Sequence, residues 1–259
     1  MIQLDNVTFS YDAVHVLKKL STDFASGDFC AIMGPNGSGK TTLLKTIGGL
    51  LSHQQGSILI EERPISDYSA LDLARKVAYV PQRQDIVFDF TVFDTVMMGR
   101  NPYQGRWEMS NKSDEKLVLD VLEMCHLTHL KDRFLNRLSG GEMQRALVAR
   151  AMAQQAPVML LDEPLSNLDI NHKFEIMDIL AELNRTRKVT ILIVIHDFSF
   201  AIQYANSALL LKNGELQYRE QAKKVLVPHI IKEVFELGDD FIVDSFGNVS
   251  KINIFAPLK

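Results

Sequence analysis

Cysteine is scarce in this chain of 259 residues: Cys30 and Cys125 lie far apart in apolar settings, and neither belongs to a C-x-x-C pair. That excludes a disulfide scaffold, argues against a structural metal and suits a reducing compartment. Charge of one sign is lacking too. Twenty-eight basic residues against 32 acidic ones leave a net charge of −4, so bulk electrostatics give no reason to expect nucleic acid as a partner. Long hydrophobic runs are missing. The most apolar stretch, Val189 to Ile195, falls far short of the roughly 20 residues that a membrane helix needs. The first twenty residues carry Asp5, Asp12 and His15 and no continuous apolar block, so no secretory signal is expected. A soluble, cytoplasmic-type chain follows, with any membrane business conducted through a partner. Internal repeats, low-complexity runs and heptad arrays are also absent. The remainder is ordinary globular material, 46% apolar and 23% charged, enough for one large domain or two small ones.

Strand-like and helix-like stretches alternate over much of the chain. Ile2, Leu4, Val7 and Phe9 are spaced as a half-buried strand with one slip near Asn6. Asp28–Met33 is a short apolar run ending at Gly34, followed by a helical pattern over Lys40–Leu51 with Leu43, Leu44, Ile47 and Leu50/Leu51 on one face. Ser57–Ile60 and Lys76–Val80 read as strands. From Thr91 to Gln155 the signals are mostly helical: one helix starting at Ser113, Asp114 and Glu115, and a second running from Ser139 to about Gln154. Alternation then resumes with a strand over Val158–Leu161, a helix from about His172 to Arg185 and a strand over Val189–Ile195. Lys212-Asn213-Gly214-Glu215 reads as a hairpin turn. The tail from Val227 reads as a helix followed by small strands around Gly247. The pattern predicts a mainly parallel α/β sheet with a helical stretch inserted between two sheet-forming halves.

Gly34-Pro35-Asn36-Gly37-Ser38-Gly39-Lys40-Thr41 fits G-x-x-x-x-G-K-[ST], with a strand before it and a helix after it. Glycines let successive N–H groups point inward and form an anion nest at the positive end of a helix. Lys40 supplies a point charge for the β- and γ-phosphates, Thr41 a hydroxyl for Mg²⁺, and Thr42 a neighbour for the α-phosphate. The apolar run Val158–Leu161 leads into Asp162-Glu163, placing two acids at the sheet edge where such ligands bind. Asp162 is expected in the Mg²⁺ shell and Glu163 as general base for the attacking water. Leu138-Ser139-Gly140-Gly141-Glu142 carries the capping box S-x-x-E. A cap alone does not explain paired glycines at the first two helical positions, each of which costs about 0.8–1 kcal/mol against Ala in a helix interior. The reading here is a second phosphate-binding helix end, with bare backbone open to a bulky anion and the Ser139 hydroxyl free to donate to a phosphate.

Together these motifs resemble the ATP-binding subunits of ABC transporters, whose signature reads L-S-G-G-Q; Glu142 stands where Gln is commoner. The resemblance covers nearly the whole chain, with the motifs in the family's order. It implies a P-loop ATPase with a mainly parallel sheet core, a small antiparallel β part and an inserted helical subdomain. The chain would be a single domain: residues 1–85 and 156–226 as catalytic core, 86–155 as helical subdomain with the signature, and 227–259 as C-terminal extension. The resemblance further implies that Tyr11 stacks on adenine, that Gln82 touches Mg²⁺ and the water, and that His196 contacts the γ-phosphate. Asp169, in Ser166-Asn167-Leu168-Asp169, would carry signals across a dimer in which two copies sandwich two ATP molecules. Each ATP would lie between one phosphate loop and the opposite signature.

Three uses of such a motor compete. Action on DNA or ribosomes is the weakest, because the stretch between Lys40 and Asp162 leaves no room for a long coiled coil and there is no basic patch. A soluble ATPase of an assembly system such as iron–sulfur cluster building is the second. The third, a membrane importer, is favoured by Thr91-Val92 and Val96-Met97-Met98-Gly99-Arg100-Asn101-Pro102. That stretch resembles the T-V…V-x-M-G-R-x-P segment of iron–siderophore, haem and cobalamin importers, with molybdate importers sharing the architecture. Ile86, Val87, Phe88 and Phe90 offer an apolar surface to a permease helix. Permease subunits, and through them an extracytoplasmic solute-binding protein, are the expected partners, with the chain peripheral on the cytoplasmic face of the membrane. ATP and Mg²⁺ are the expected ligands.

Overall fold

The computed structural model describes residues 1–82, 89–104, 112–238, 241–244 and 248–251. Its centre is a six-stranded sheet ordered Glu215–Gln221 (β10), Ser207–Lys212 (β9), Phe29–Met33 (β3), Thr190–Val194 (β8), Val158–Asp162 (β7) and Val77–Val80 (β6). Every pairing in it is parallel except that of the edge hairpin β9–β10. Strands β3, β7 and β8 are buried at every position, as strands covered on both faces must be. Their two-residue period divides their side chains between two cores. Phe29, Ala31, Met33, Met159, Leu161, Ile191 and Ile193 join one cluster; Cys30, Ile32, Val158, Leu160, Leu192 and Val194 join the other. Cys30 and Cys125 are both free and buried.

The first cluster continues into Val92–Met97 (α3), Lys112–Met124 (α4), Gly140–Ala153 (α5) and Ile170–Arg187 (α6), so the helical part shares a core with the sheet. The second takes in Leu43, Leu44 and Ile47 of Lys40–Ile47 (α1) and the inner face of a four-stranded antiparallel sheet. That sheet is ordered Val14–Phe24 (β2), Ile2–Tyr11 (β1), Gln55–Ile60 (β4) and Arg63–Pro64 (β5). The short helix Ala70–Ala74 (α2) precedes β6. Phe198–Tyr204 (α7), Ala222–Val225 (α8) and Pro228–Phe235 (α9) follow later in the chain, and Phe241–Val243 (β11) pairs antiparallel with Val249–Lys251 (β12). Among the described residues no helix is long and apolar enough to cross a membrane.

The predicted slip at Asn6 is a real irregularity: the β1–β2 register shifts between Leu4 and Val7, and Asn6 has φ 49°. Strand β2 itself was not anticipated. Only Leu17, Leu20 and Phe24 are fully buried in it, and the bulges that place them break the period-two pattern. Helix α1 stops at Ile47 rather than Leu51, because Gly48 caps it and Gly49 turns left-handed at φ 69°, leaving Leu50 exposed. Ile86, Val87, Phe88 and Gly247 lie outside the described residues, while Phe90 is 39% exposed.

The hairpin turn at Asn213-Gly214 reaches across to the glycine-rich loop. The Gly214 N–H donates to the Ser38 carbonyl (3.2 Å), and the Gly214 carbonyl accepts from the Lys18 N–H (2.9 Å). A Cβ at residue 214 would lie 2.3 Å from the Val16 carbonyl oxygen. The turn thus ties the parallel sheet, the antiparallel sheet and the loop at one point.

Candidate functional site

The glycine-rich loop leaves the end of β3 and enters α1, with Gly37 and Gly39 left-handed at φ 76° and 100°. Asn36, Gly37, Gly39, Lys40, Thr41 and Thr42 line a cavity of about 680 Å³ together with Val16, Gln82, Glu163 and His196. Lys40 Nζ donates to the carbonyls of Gly34 and Pro35, both at 2.8 Å, which holds the ammonium across the mouth of the loop. Burial lowers its pKa from the usual lysine value, against the opposing pull of Glu163 and Asp162. The Ser38 hydroxyl is buried without a partner. An orphaned hydroxyl inside a backbone anion nest suits a phosphate oxygen.

Asp162 ends β7 and is 2% exposed. Thr41 Oγ1 donates to its Oδ1 (2.9 Å) and the Tyr79 hydroxyl to its Oδ2 (3.2 Å). Burial raises the Asp162 pKa from the ordinary carboxylate value, and these two hydrogen bonds offset part of the rise. Tyr79 escaped the sequence reading; its own pKa is pushed up by burial and then by Asp162. The pairing of β6 with β7 brings it there, an adjacency that no local spacing reveals. Val16 was missed for the same reason.

Glu163 sits one residue on, in the left-handed region at φ 47°, with its N–H donating to the Val194 carbonyl (3.1 Å). Such backbone conformations are rare for non-glycine residues and cluster at functional sites. Both carboxylate oxygens are engaged: Gln82 Nε2 donates to Oε2 (2.7 Å), and His196 Nε2 lies 2.9 Å from Oε1. Gln82, Glu163 and His196 thus meet at the cavity wall. Among the described residues no three His, Cys, Asp or Glu side chains cluster as a metal cage. The Thr41–Asp162 pair fits a Mg²⁺ ion, which is commonly held by one or two carboxylates plus substrate phosphates. Tyr11 is not among the cavity's lining residues. It stands 46% exposed at the end of β1, edge-on to Phe9 with ring centroids 4.8 Å apart.

Ser139 caps α5 as its sequence predicts. Its hydroxyl accepts from the Glu142 N–H (3.3 Å), and Glu142 Oε2 accepts from the Ser139 N–H (2.7 Å). The two glycines differ in their surroundings. Nothing lies within 4 Å of a Cβ built on Gly140, so that position is open to an anion. A Cβ on Gly141 would instead lie 2.0 Å from the His172 ring, so a side chain here would force that ring to shift. Asp169 caps α6 by accepting from the His172 N–H (3.0 Å). Neither Ser139 nor Asp169 lines the cavity that holds Lys40 and Glu163.

The Met98–Pro102 stretch has a structural role inside the helical part. Arg100 is buried and donates to Asp114 Oδ1 (2.8 Å), the Ala153 carbonyl (2.8 Å) and Gln155 Oε1 (3.1 Å). Asp114 therefore faces inward to an ion pair as well as opening α4.

A phosphate loop between a buried strand and a helix, with paired acids at the end of β7, the next strand but one in the sheet, defines a P-loop nucleotide-binding protein. Residues 17–166 match the family model described as ABC transporter, and the chain belongs to that family. It is 36% identical to an uncharacterised ABC transporter ATP-binding protein of Methanocaldococcus jannaschii, over 100% of this chain and 98% of that protein. It is 34% identical to the ferric enterobactin transport ATP-binding protein FepC of Escherichia coli, over 90% of this chain and 86% of that one. The fold matches a dimeric post-hydrolysis structure of the ATP-binding cassette MJ0796 bound to ADP and Pi. That match has a TM-score of 0.76 and 31% identity, covering 86% of this chain and 99% of that one.

Proposed function

We propose that the chain is the ATP-hydrolysing subunit of an importer for metal chelates, of the iron–siderophore, haem or cobalamin kind. It would work peripherally on the cytoplasmic face of the membrane through separate permease subunits, which an extracytoplasmic solute-binding protein supplies. The observation that carries the reading is Glu163 held between Gln82 and His196 beside the phosphate cradle. The relative's transport of ferric enterobactin supports the class of cargo.

In this reading the loop residues Gly34–Thr42 receive the phosphates, Lys40 takes β- and γ-phosphate charge, and the exposed Tyr11 ring stacks on adenine. Thr41, Asp162 and Gln82 would hold Mg²⁺, which would neutralise phosphate charge. Glu163 leaves His196 and accepts a proton from the attacking water. An oxygen–γ-phosphorus bond forms, the bridge to the β-phosphate breaks, and ADP leaves. His196, freed from Glu163, turns to the γ-phosphate and fixes the water. Because Ser139 and Asp169 stand outside the cavity of their own copy, a second copy supplies Ser139, Gly140, Gly141, Glu142 and Asp169 to close it. The helical part, residues 86–155, passes this closure to the permease.

The test is Glu163→Gln. It should keep ATP binding, lose phosphate release by about 10²–10⁴-fold, the usual worth of a general base, and accumulate as an ATP-bound dimer in light scattering. Unchanged phosphate release would remove Glu163 from this role. With its permease bound, the parent chain should hydrolyse ATP faster when the metal chelate is presented, and indifference to every chelate would overturn the cargo.

A further inference from the structure

His172 lies in the first turn of α6, outside the phosphate loop, acid pair and signature, and stands where two trans-acting segments meet. Its N–H is the group that Asp169 caps, which ties the ring to the loop carrying Asp169. The ring covers Gly141 so closely that a Cβ there would lie 2.0 Å from Cδ2 and 2.4 Å from Cγ. Nδ1 is 3.0 Å from Arg145 Nη1, on the turn of α5 after Gly141, and 2.9 Å from Glu175 Oε2, on the next turn of α6. Arg145 also pairs with Glu175. With its side chain only 7% exposed and its Nε buried without a partner, Arg145 depends on these neighbours to compensate its charge. The imidazole is therefore clamped by both helices.

We propose that His172 is a positioning residue that locks the Ser139–Glu142 helix start and the Asp169 loop into one rigid jaw, so that both meet the partner copy's nucleotide in fixed mutual geometry. The proposal rests on the two-copy reading above. A jaw built from two separate loops works only if their spacing is held. Misplacement by about 1 Å costs on the order of 10²-fold in a catalytic assembly. A flat ring against bare backbone on one side and a charge pair on the other fixes that spacing without a covalent link. Glycine at 141 is the other half of the device, because any side chain there would displace the ring from its place between the helices.

The experiment measures ATP-driven dimer formation in the Glu163→Gln background, with ATP affinity of the single copy and Tm measured alongside. His172→Ala should leave single-copy ATP affinity and Tm close to the parent and weaken dimer formation by about ten-fold or more. With Glu163 intact, the same change should lower kcat and leave KM nearly unmoved. His172→Gln, which can still accept from Arg145, should recover part of the loss. Gly141→Ala should reproduce the defect alone yet add little to His172→Ala, because the ring it would strike is gone. Dimer formation by His172→Ala equal to the parent overturns the proposal, as do additive losses in the double variant. Should His172→Ala fold poorly, His172→Gln and Gly141→Ala decide by the same readouts. Absence of an ATP-driven dimer in Glu163→Gln itself overturns the two-copy reading and the proposal with it, a result distinct from failure at His172 alone.

Discussion

Glu142 shows how much one side chain can carry. Its carboxylate accepts from the Ser139 N–H, and that bond, first among several, holds its pKa below the usual carboxylate value. Because folding lowers this pKa, the stabilising contribution is fully present above the ordinary carboxylate range and is lost as pH falls through the depressed value. Acidification through the depressed Glu142 pKa should therefore loosen the first turn of α5, seen as a lower amide protection factor at Ser139 once the intrinsic pH dependence of exchange is divided out. Glu142→Gln keeps an acceptor and gains no proton, so its exchange should show no such acid step. Residues of this kind were legible because their chemistry is local: a capping box spans four positions, and a phosphate loop eight. Tyr79, Val16 and His172 were not legible, since each reaches its site through pairing or packing between distant segments.

At the level of elements, the turn Met98–Tyr103 after α3 shows a motif with a packing role that its sequence did not reveal. Gly99 packs against α5 so tightly that a Cβ would lie 2.2 Å from the Arg150 carbonyl oxygen, and Arg100 ties the turn to α4 and to the end of α5. Gly99→Ala should cost about 1–3 kcal/mol through overpacking. That is a fall in Tm of roughly 2–4 °C per kcal/mol in a chain of this size, with ATP affinity preserved. An unchanged Tm would show that α5 yields at no cost. Gly99 and Arg100 in this stretch thus hold the helical part together. Buried parallel strands and long amphipathic helices were readable because burial on both faces or on one stripe leaves a period. Strand β2 and the end of α1 were not, because bulges and the left-handed Gly49 interrupt it.

For the whole molecule, the informative joint is the turn at Gly214, where both sheets and the phosphate loop are fastened. The residue is left-handed at φ 81°, and a Cβ would press on the Val16 carbonyl. Gly214→Ala should therefore weaken ATP binding in a fluorescent-nucleotide titration by about ten-fold or more, through strain of about 1–3 kcal/mol passed to Ser38 and Val16. Unaltered affinity would show that the loop stands without the turn. Strand alternation made the parallel sheet foreseeable, while the order of its strands could be read only in three dimensions. That order bears on how the protein is made. Strand β3, which leads into the cradle, lies between β8 and β9, and chains emerge from the ribosome N-terminus first. A growing polypeptide stalled just past Glu163 would already own its glycine-rich loop and both acids, but not His196. It would still lack the two flanking strands and the distal glycine that hold them in place, so nucleotide capture must wait until translation is nearly over.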